Sequence, residues 1–287
     1  MRRVAYVMLL LLPGCLGNLE LVGPDAGPGA PPPPPPQDGG VTPPPPPPGT
    51  DAGGVLPLPT DAGTSPIPDA GPAPMTWRGV LIAGDDTIVA FDNARERITQ
   101  LFVGDGVLEE NLIQLSRDRG EQTGGVRDTT VSNIETAMMD LGIGDNDACI
   151  MFMTSHGNRT GFQINGRDPL TPTRLDQILD DACGDRPTVA LISACYSGVF
   201  IDPLSAPNRI VLTAARDDRT SFGCSAEATY TYWDSCLITE YPMASTWRDL
   251  YENVAKCIEE KEGGGFTPSY PQASLGADVA DMPIFGR

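Results

Sequence analysis

The chain has 287 residues, including 30 prolines and 32 glycines, and a formal net charge of −19 at neutral pH. An acidic chain without a basic patch cannot neutralise phosphate groups, so the composition argues against nucleic-acid binding and against adsorption to anionic lipid. Seven cysteines and a single histidine limit the side chains available for redox, metal or nucleophilic chemistry.

The N-terminus has the features of an export signal. A basic start at Met1 to Arg3 precedes an apolar run at residues 7–12, which is too short to span a membrane as a helix. The following Leu12-Pro13-Gly14-Cys15 resembles the bacterial lipobox, in which Cys15 becomes the lipid-bearing first residue after cleavage. By the same resemblance, Leu16 rather than aspartate after the cysteine implies the outer membrane rather than the inner one. An ordinary secretory signal with an incidental cysteine is the alternative.

Residues 16–75 consist mainly of proline, glycine, alanine and aspartate, with six-proline runs at 31–36 and 43–48. Such a segment has too little apolar surface to offset the entropy cost of ordering, so we expect it to be disordered and locally polyproline II. Its simplest role is a spacer between a membrane anchor and a folded domain.

Residues 76–287 are long enough to bury a core and alternate between strand and helix patterns. Apolar runs predict strands at 78–83, 111–115, 149–154, 189–194 and 210–213. Helical stripes predict helices at 92–103, 130–141, 173–182 and 247–262, and the tail near Tyr270 is a candidate edge strand. This alternation predicts an α/β fold with a mainly parallel sheet covered by helices on both faces.

Two of the predicted strands end in reactive side chains. The run at 149–154 leads into Ser155-His156-Gly157, and the run at 189–194 leads into Cys195. Neighbouring parallel strands present their carboxyl ends to one crevice, where an imidazole and a thiol can act as base and nucleophile. His156 is the only histidine in the chain. The alternative is a buried structural cysteine and a structural histidine, and spacing alone leaves both interpretations open.

These segments resemble the legumain family of cysteine peptidases, which are relatives of the caspases. The likeness lies in His156-Gly157, in Ala194-Cys195-Tyr196-Ser197-Gly198 and in residues 208–224, and it extends from about Trp77 to the C-terminus. It implies a three-layer α/β/α caspase-haemoglobinase fold, with Cys195 as nucleophile, His156 as base, and the backbone N–H groups of Gly157 and Cys195 as oxyanion donors. Together with the lipobox it suggests a bacterial lipoprotein branch of that family.

The substrate pocket is where the resemblance weakens. Legumains hold asparagine with an arginine and a glutamate, and the glutamate position is Ser193 here. The arginine position aligns with residues 91–95, so Arg95 either enters the pocket or lies exposed on its helix. Asp234 is the candidate for a third pocket residue. Cleavage after asparagine therefore does not follow.

With Cys15 assigned to lipid and Cys195 to chemistry, five cysteines remain for at most two bridges among themselves. We favour Cys236 with Cys257, while the sequence does not fix connectivity. A single histidine and the lack of a Cys-x-x-Cys pair argue against zinc, so no metal or other cofactor is expected.

The sequence thus predicts a cysteine-type endopeptidase that acts on peptides or proteins and is held at the outer membrane by a lipid anchor. A transpeptidase or ligase would use the same two residues, and an inactive lipid-anchored binding domain is a further alternative. A cysteine phosphatase is excluded, because its Cys-x5-Arg signature needs an arginine where this chain has Ile201.

Overall fold

The computed structural model describes residues 75–264, 267–285 and 287. The predicted export signal with Cys15, and all but the last residue of the predicted linker, lie outside this range. The described strands are β1 (Thr76–Ala83), β2 (Leu112–Ser116), β3 (Arg127–Asp128), β4 (Asp147–Thr154), β5 (Gly157–Asn158), β6 (Gly161–Phe162), β7 (Thr188–Ser193), β8 (Arg209–Thr213) and β9 (Gln272–Leu275). The helices are α1 (Ala90–Gly104), α2 (Val131–Asp140), α3 (Pro172–Cys183), α4 (Ile201–Leu204), α5 (Tyr232–Glu240) and α6 (Trp247–Glu262).

Seven of these strands form one sheet in the order β3-β2-β1-β4-β7-β8-β9. All its neighbours pair in parallel except β9, which runs antiparallel to β8 at the edge. The strand β9 confirms the predicted edge strand near the C-terminus. Strands β5 and β6 form a separate two-stranded hairpin directly after β4.

The central sheet buries side chains on both faces, as its continuous apolar strands require. In β1, Leu81 packs with α1, α5 and α6 on one face, whereas Val80 and Ile82 pack with α2, α3 and α4 on the other. The neighbouring β4 divides in the same way, since Phe152 joins the first cluster and Met153 the second. The predicted three-layer α/β/α arrangement is confirmed.

Threonine side chains fix where four of the helices begin. Thr130, Thr171, Thr231 and Thr246 each precede a helix and accept a hydrogen bond from the backbone N–H three residues on. This satisfies an N–H group that the first helical turn leaves without a partner. The longest helix, α6, also has a reciprocal capping box with Asp249 and ends at Gly263 in the left-handed conformation.

Two disulfides that join pairs of described cysteines tie helices to the rest of the fold. Cys149 in β4 bonds to Cys183 at the end of α3, and Cys236 in α5 bonds to Cys257 in α6. The second bridge is the one the sequence favoured. No helix within the described ranges is both long and apolar enough to cross a membrane.

Candidate active site

Strands β4 and β7 carry the segments of His156 and Cys195 to the same edge of the sheet. The two strands pair in parallel over their last six residues, with Thr154 opposite Ser193. One residue later, the Ser155 N–H donates to the Ser193 carbonyl at 3.1 Å. His156 and Cys195 each follow this matched pair by two residues, so their backbone segments leave the sheet at the same edge.

Gly157 lies in contact with the backbone of Cys195. A Cβ atom at position 157 would lie 2.2 Å from the carbonyl oxygen of Cys195 and 2.8 Å from the Cβ of Ala194. Real side chains do not approach so closely, so only glycine allows the two chain segments to meet here. The glycine after the histidine is therefore a steric requirement of bringing the two strand ends together.

The chain turns sharply after Cys195. Tyr196 adopts the left-handed conformation with φ 57° and ψ 17°, which is uncommon for a residue other than glycine. Its N–H donates to the Arg219 carbonyl at 2.7 Å, and the Gly198 N–H donates to the Ala215 carbonyl at 2.7 Å. A Cβ at Gly198 would lie 2.4 Å from the backbone nitrogen of Asp217. The loop after β8 thus holds the turn that carries Cys195, an arrangement that no local pattern predicts.

The Cys195 thiol is almost fully buried and lies against Ser221. The Ser221 N–H donates to Sγ at 3.3 Å, and the Ser221 hydroxyl lies 3.8 Å from the same sulfur. The thiol in turn donates to the Ser221 carbonyl at 3.6 Å, so the backbone of Ser221 contacts the sulfur through both its N–H and its C=O. Ser221 lies in residues 208–224, the third segment that resembles the legumain family. This segment therefore contacts Cys195 directly.

The His156 ring packs edge-on against Phe91 from the first turn of α1. The two ring centroids are 5.2 Å apart and the planes meet at 83°. Nδ1 of His156 is buried and has no hydrogen-bond partner within the described structure. Within the described part of the chain, packing against Phe91 helps to orient this ring.

Two of the three pocket candidates come together beneath these strand ends. Asp234 Oδ2 accepts a hydrogen bond from the Thr154 hydroxyl at 2.7 Å, and Ser193 Oγ lies 3.4 Å from Thr231 Oγ1. Asp234 is fully buried, and its Oδ1 has no hydrogen-bond partner in the described structure. Burial raises the pKa of Asp234 to about 6, although the bond from Thr154 and the nearby Ser193 and Thr231 hydroxyls favour the ionised form.

Arg95, the third candidate, is placed elsewhere. It is buried in α1, where its guanidinium pairs with Asp92 at 2.9 Å and Glu121 at 3.1 Å and also bonds to Gln114. The expectation of an exposed helical arginine is wrong, because α1 packs this face against β2 and the loop that follows β2. None of the described contacts of Arg95 reaches Ser193 or Asp234. Burial raises the pKa of Asp92, and the bond with Arg95 opposes that change.

Among the described residues, no group of three or more histidine, cysteine, aspartate or glutamate side chains is arranged to hold a metal ion.

Comparison with protein families adds an independent finding. Residues 126–263 match the model of the Peptidase C13 family, which is the legumain family. The matched range contains His156, Cys195, Ser193 and Asp234, whereas Arg95 precedes it. Comparison with curated proteins finds no match. The family match supports a cysteine peptidase of the legumain type.

Burial of Asp234 makes the stability of the domain depend on pH. In the unfolded chain this carboxyl ionises near its usual pKa of 3.8, whereas in the folded protein it stays protonated up to about pH 6. Stability is therefore lost as the pH rises through this window, by about 3 kcal/mol in total at about 1.4 kcal/mol per pH unit. Asp234→Asn cannot ionise and should lack this loss.

Urea unfolding of both proteins between about pH 3.5 and 7.5 measures the effect. The free energy of unfolding of the wild type should fall relative to that of Asp234→Asn as the pH increases. A difference between the two proteins that stays constant over this range would contradict a raised pKa at Asp234.

Proposed function

We propose that this protein, whose residues 126–263 resemble the Peptidase C13 family, is a cysteine endopeptidase that uses Cys195 as nucleophile and His156 as general base. The observation that carries the proposal is the matched exit of both residues from paired strands, with Gly157 packed against the Cys195 backbone. A structural cysteine and histidine would not require this contact between the two strand ends.

The reaction begins with transfer of the Cys195 proton to His156. A free thiol has a pKa of about 8.5, so at neutral pH it needs a base or nearby donors to react as a thiolate. The Ser221 N–H, 3.3 Å from Sγ, supplies such a donor. Sγ then adds to the carbonyl carbon of the peptide bond, and the carbonyl oxygen becomes an oxyanion.

The proposed oxyanion donors are the backbone N–H groups of Gly157 and Cys195. Gly157 approaches the Cys195 carbonyl, so the two residues that would supply these donors are neighbours in space. One such donor contributes roughly 3 kcal/mol in comparable sites. Collapse of the intermediate breaks the C–N bond, His156 protonates the leaving amine, and water hydrolyses the thioester to regenerate the thiol.

We do not expect selectivity for asparagine. Ser193 stands where legumains have glutamate, and Arg95 is engaged by Asp92 and Glu121. The two charged groups that would hold an asparagine side chain are therefore not combined here.

A peptide library with all residue types, incubated with the purified protein, tests the proposal. The wild type should cut internal peptide bonds, Cys195→Ala should show no turnover, and His156→Ala should retain at most about 1 % because general acid–base catalysis contributes roughly 10² to 10⁴. Urea unfolding of each variant serves as the control for folding. Addition of an amine-bearing acceptor peptide separates hydrolysis from transpeptidation.

Turnover that survives Cys195→Ala would contradict the assignment of the nucleophile. A folded wild type that cuts no peptide at any pH from about 4 to 8, with or without acceptor, would favour a binding domain instead.

We further propose that lipid on Cys15 anchors the protein in a bacterial outer membrane, with residues 16–75 as the spacer. The support is the basic start, the short apolar run and Leu12-Pro13-Gly14-Cys15. In a bacterial host, the wild type should fractionate with outer membranes and carry acyl mass on Cys15, while Cys15→Ser should do neither. Wild-type protein that lacks acyl mass would contradict the anchor.

A further inference from the structure

Asp234 connects the two strands that carry the proposed catalytic residues. It lies in the first turn of α5, where its N–H donates to the Thr231 hydroxyl at 3.1 Å. Its carboxyl accepts from the Thr154 hydroxyl at the end of β4. Ser193, at the end of β7, lies 3.4 Å from Thr231 and opposite Thr154 in the sheet. The Asp234 carboxyl thus bonds to β4 directly, whereas the link from Asp234 to β7 runs from its backbone N–H through the Thr231 hydroxyl to Ser193.

Thr154 and Ser193 lie close in the chain to the two proposed catalytic residues. Thr154 precedes His156 by two residues, and Ser193 precedes Cys195 by two residues. A change in the separation of residues 154 and 193, or in the twist between them, would be passed through one intervening residue to each reactive side chain. Small displacements of these side chains matter, because a shift of about 1 Å can lower the reaction rate roughly 10²-fold.

The burial of Asp234 argues against direct contact with a substrate. Its exposed fraction is 0 %, and so is that of Thr154. A carboxylate that lined a pocket would keep some surface open to the substrate side chain that it binds. The Asp234 carboxyl also leaves Oδ1 without a partner, which costs free energy that an apolar side chain would avoid. Retention of such a costly group is understandable if it has a role in activity.

We propose that Asp234 is a positioning residue, which fixes the relative placement of His156 and Cys195 by joining the ends of β4 and β7 to the start of α5. This inference rests on the proposed peptidase function. It differs from the pocket role that the family resemblance implies for Asp234, because a positioning residue acts on the rate and leaves the choice of substrate unchanged.

The test compares Asp234→Ala, Asp234→Asn and Thr154→Val with the wild type. Asp234→Ala should lower kcat by about 10- to 100-fold, change KM by less than about threefold, and keep the same order of preference for the residue before the cut. Asp234→Asn retains an acceptor for Thr154 and should recover about tenfold of the loss. Thr154→Val should reduce kcat as Asp234→Ala does, and the double variant should show no further loss.

Thr129→Val is the matched control. The Thr129 hydroxyl is also buried at this end of the sheet, but it donates to the Ala83 carbonyl at 2.8 Å, away from β7. Its loss should lower stability to a similar extent as Thr154→Val without lowering kcat. If Thr129→Val reduced kcat equally, the effect would be one of general stability and the positioning role would be overturned.

Two other results would overturn the inference. A changed preference for the residue before the cut, or a raised KM at constant kcat, would return Asp234 to a pocket role. Wild-type kinetics in both Asp234→Ala and Thr154→Val would remove any role in activity.

A second measurement separates this inference from the proposed function. Iodoacetamide reacts with Cys195 whether or not a substrate is known, and peptide mass mapping identifies the labelled residue. Asp234→Ala and Thr154→Val should slow labelling of Cys195 near neutral pH by at least about threefold relative to Thr129→Val. Unchanged labelling would overturn the positioning role, whereas slowed labelling in a protein that cuts no peptide would overturn only the peptidase function.

Discussion

The parallel pairing of β4 with β7 is the constraint on which the rest of the site depends. The two strands stay in register up to Thr154 and Ser193, and the Ser155 N–H extends the ladder by one more hydrogen bond. Backbone hydrogen bonds thereby set the distance between the two exit points. His156 and Cys195 inherit this geometry, because each lies two residues beyond the last paired position of its strand.

Close backbone contacts then preserve the geometry beyond the last ladder bond. Gly157 approaches the Cys195 carbonyl where no side chain would fit, and Tyr196 is held in a left-handed turn by the Arg219 carbonyl. Unfavourable conformations of this kind persist only when surrounding structure fixes them, and they concentrate at functional sites. The same loop after β8 brings the Ser221 N–H to the sulfur, which explains why three separate segments of the chain are needed for one thiol environment.

The sequence predicted features that local chemistry determines. The α6 bounds are as expected because Thr246, Asp249 and Gly263 are start and stop signals within the helix and its flanks. Features that depend on contacts between residues far apart in the chain could not be predicted from the sequence. The burial of Arg95 depends on Glu121, 26 residues away, and the bond between Thr154 and Asp234 spans 80 residues. The β5–β6 hairpin was missed because strands of two residues have no measurable periodicity.

The measurement that most directly tests the central claim is labelling by peptides that carry a reactive acyloxymethyl ketone, with the modified residue located by mass spectrometry. Attack on the ketone requires an activated thiol beside a proton donor, so it reports on the pair of residues together. The account predicts one label per chain, on Cys195, and a rate at least about 100-fold lower in His156→Ala. Labelling of another cysteine, or an equal rate in His156→Ala, would contradict the proposed pair.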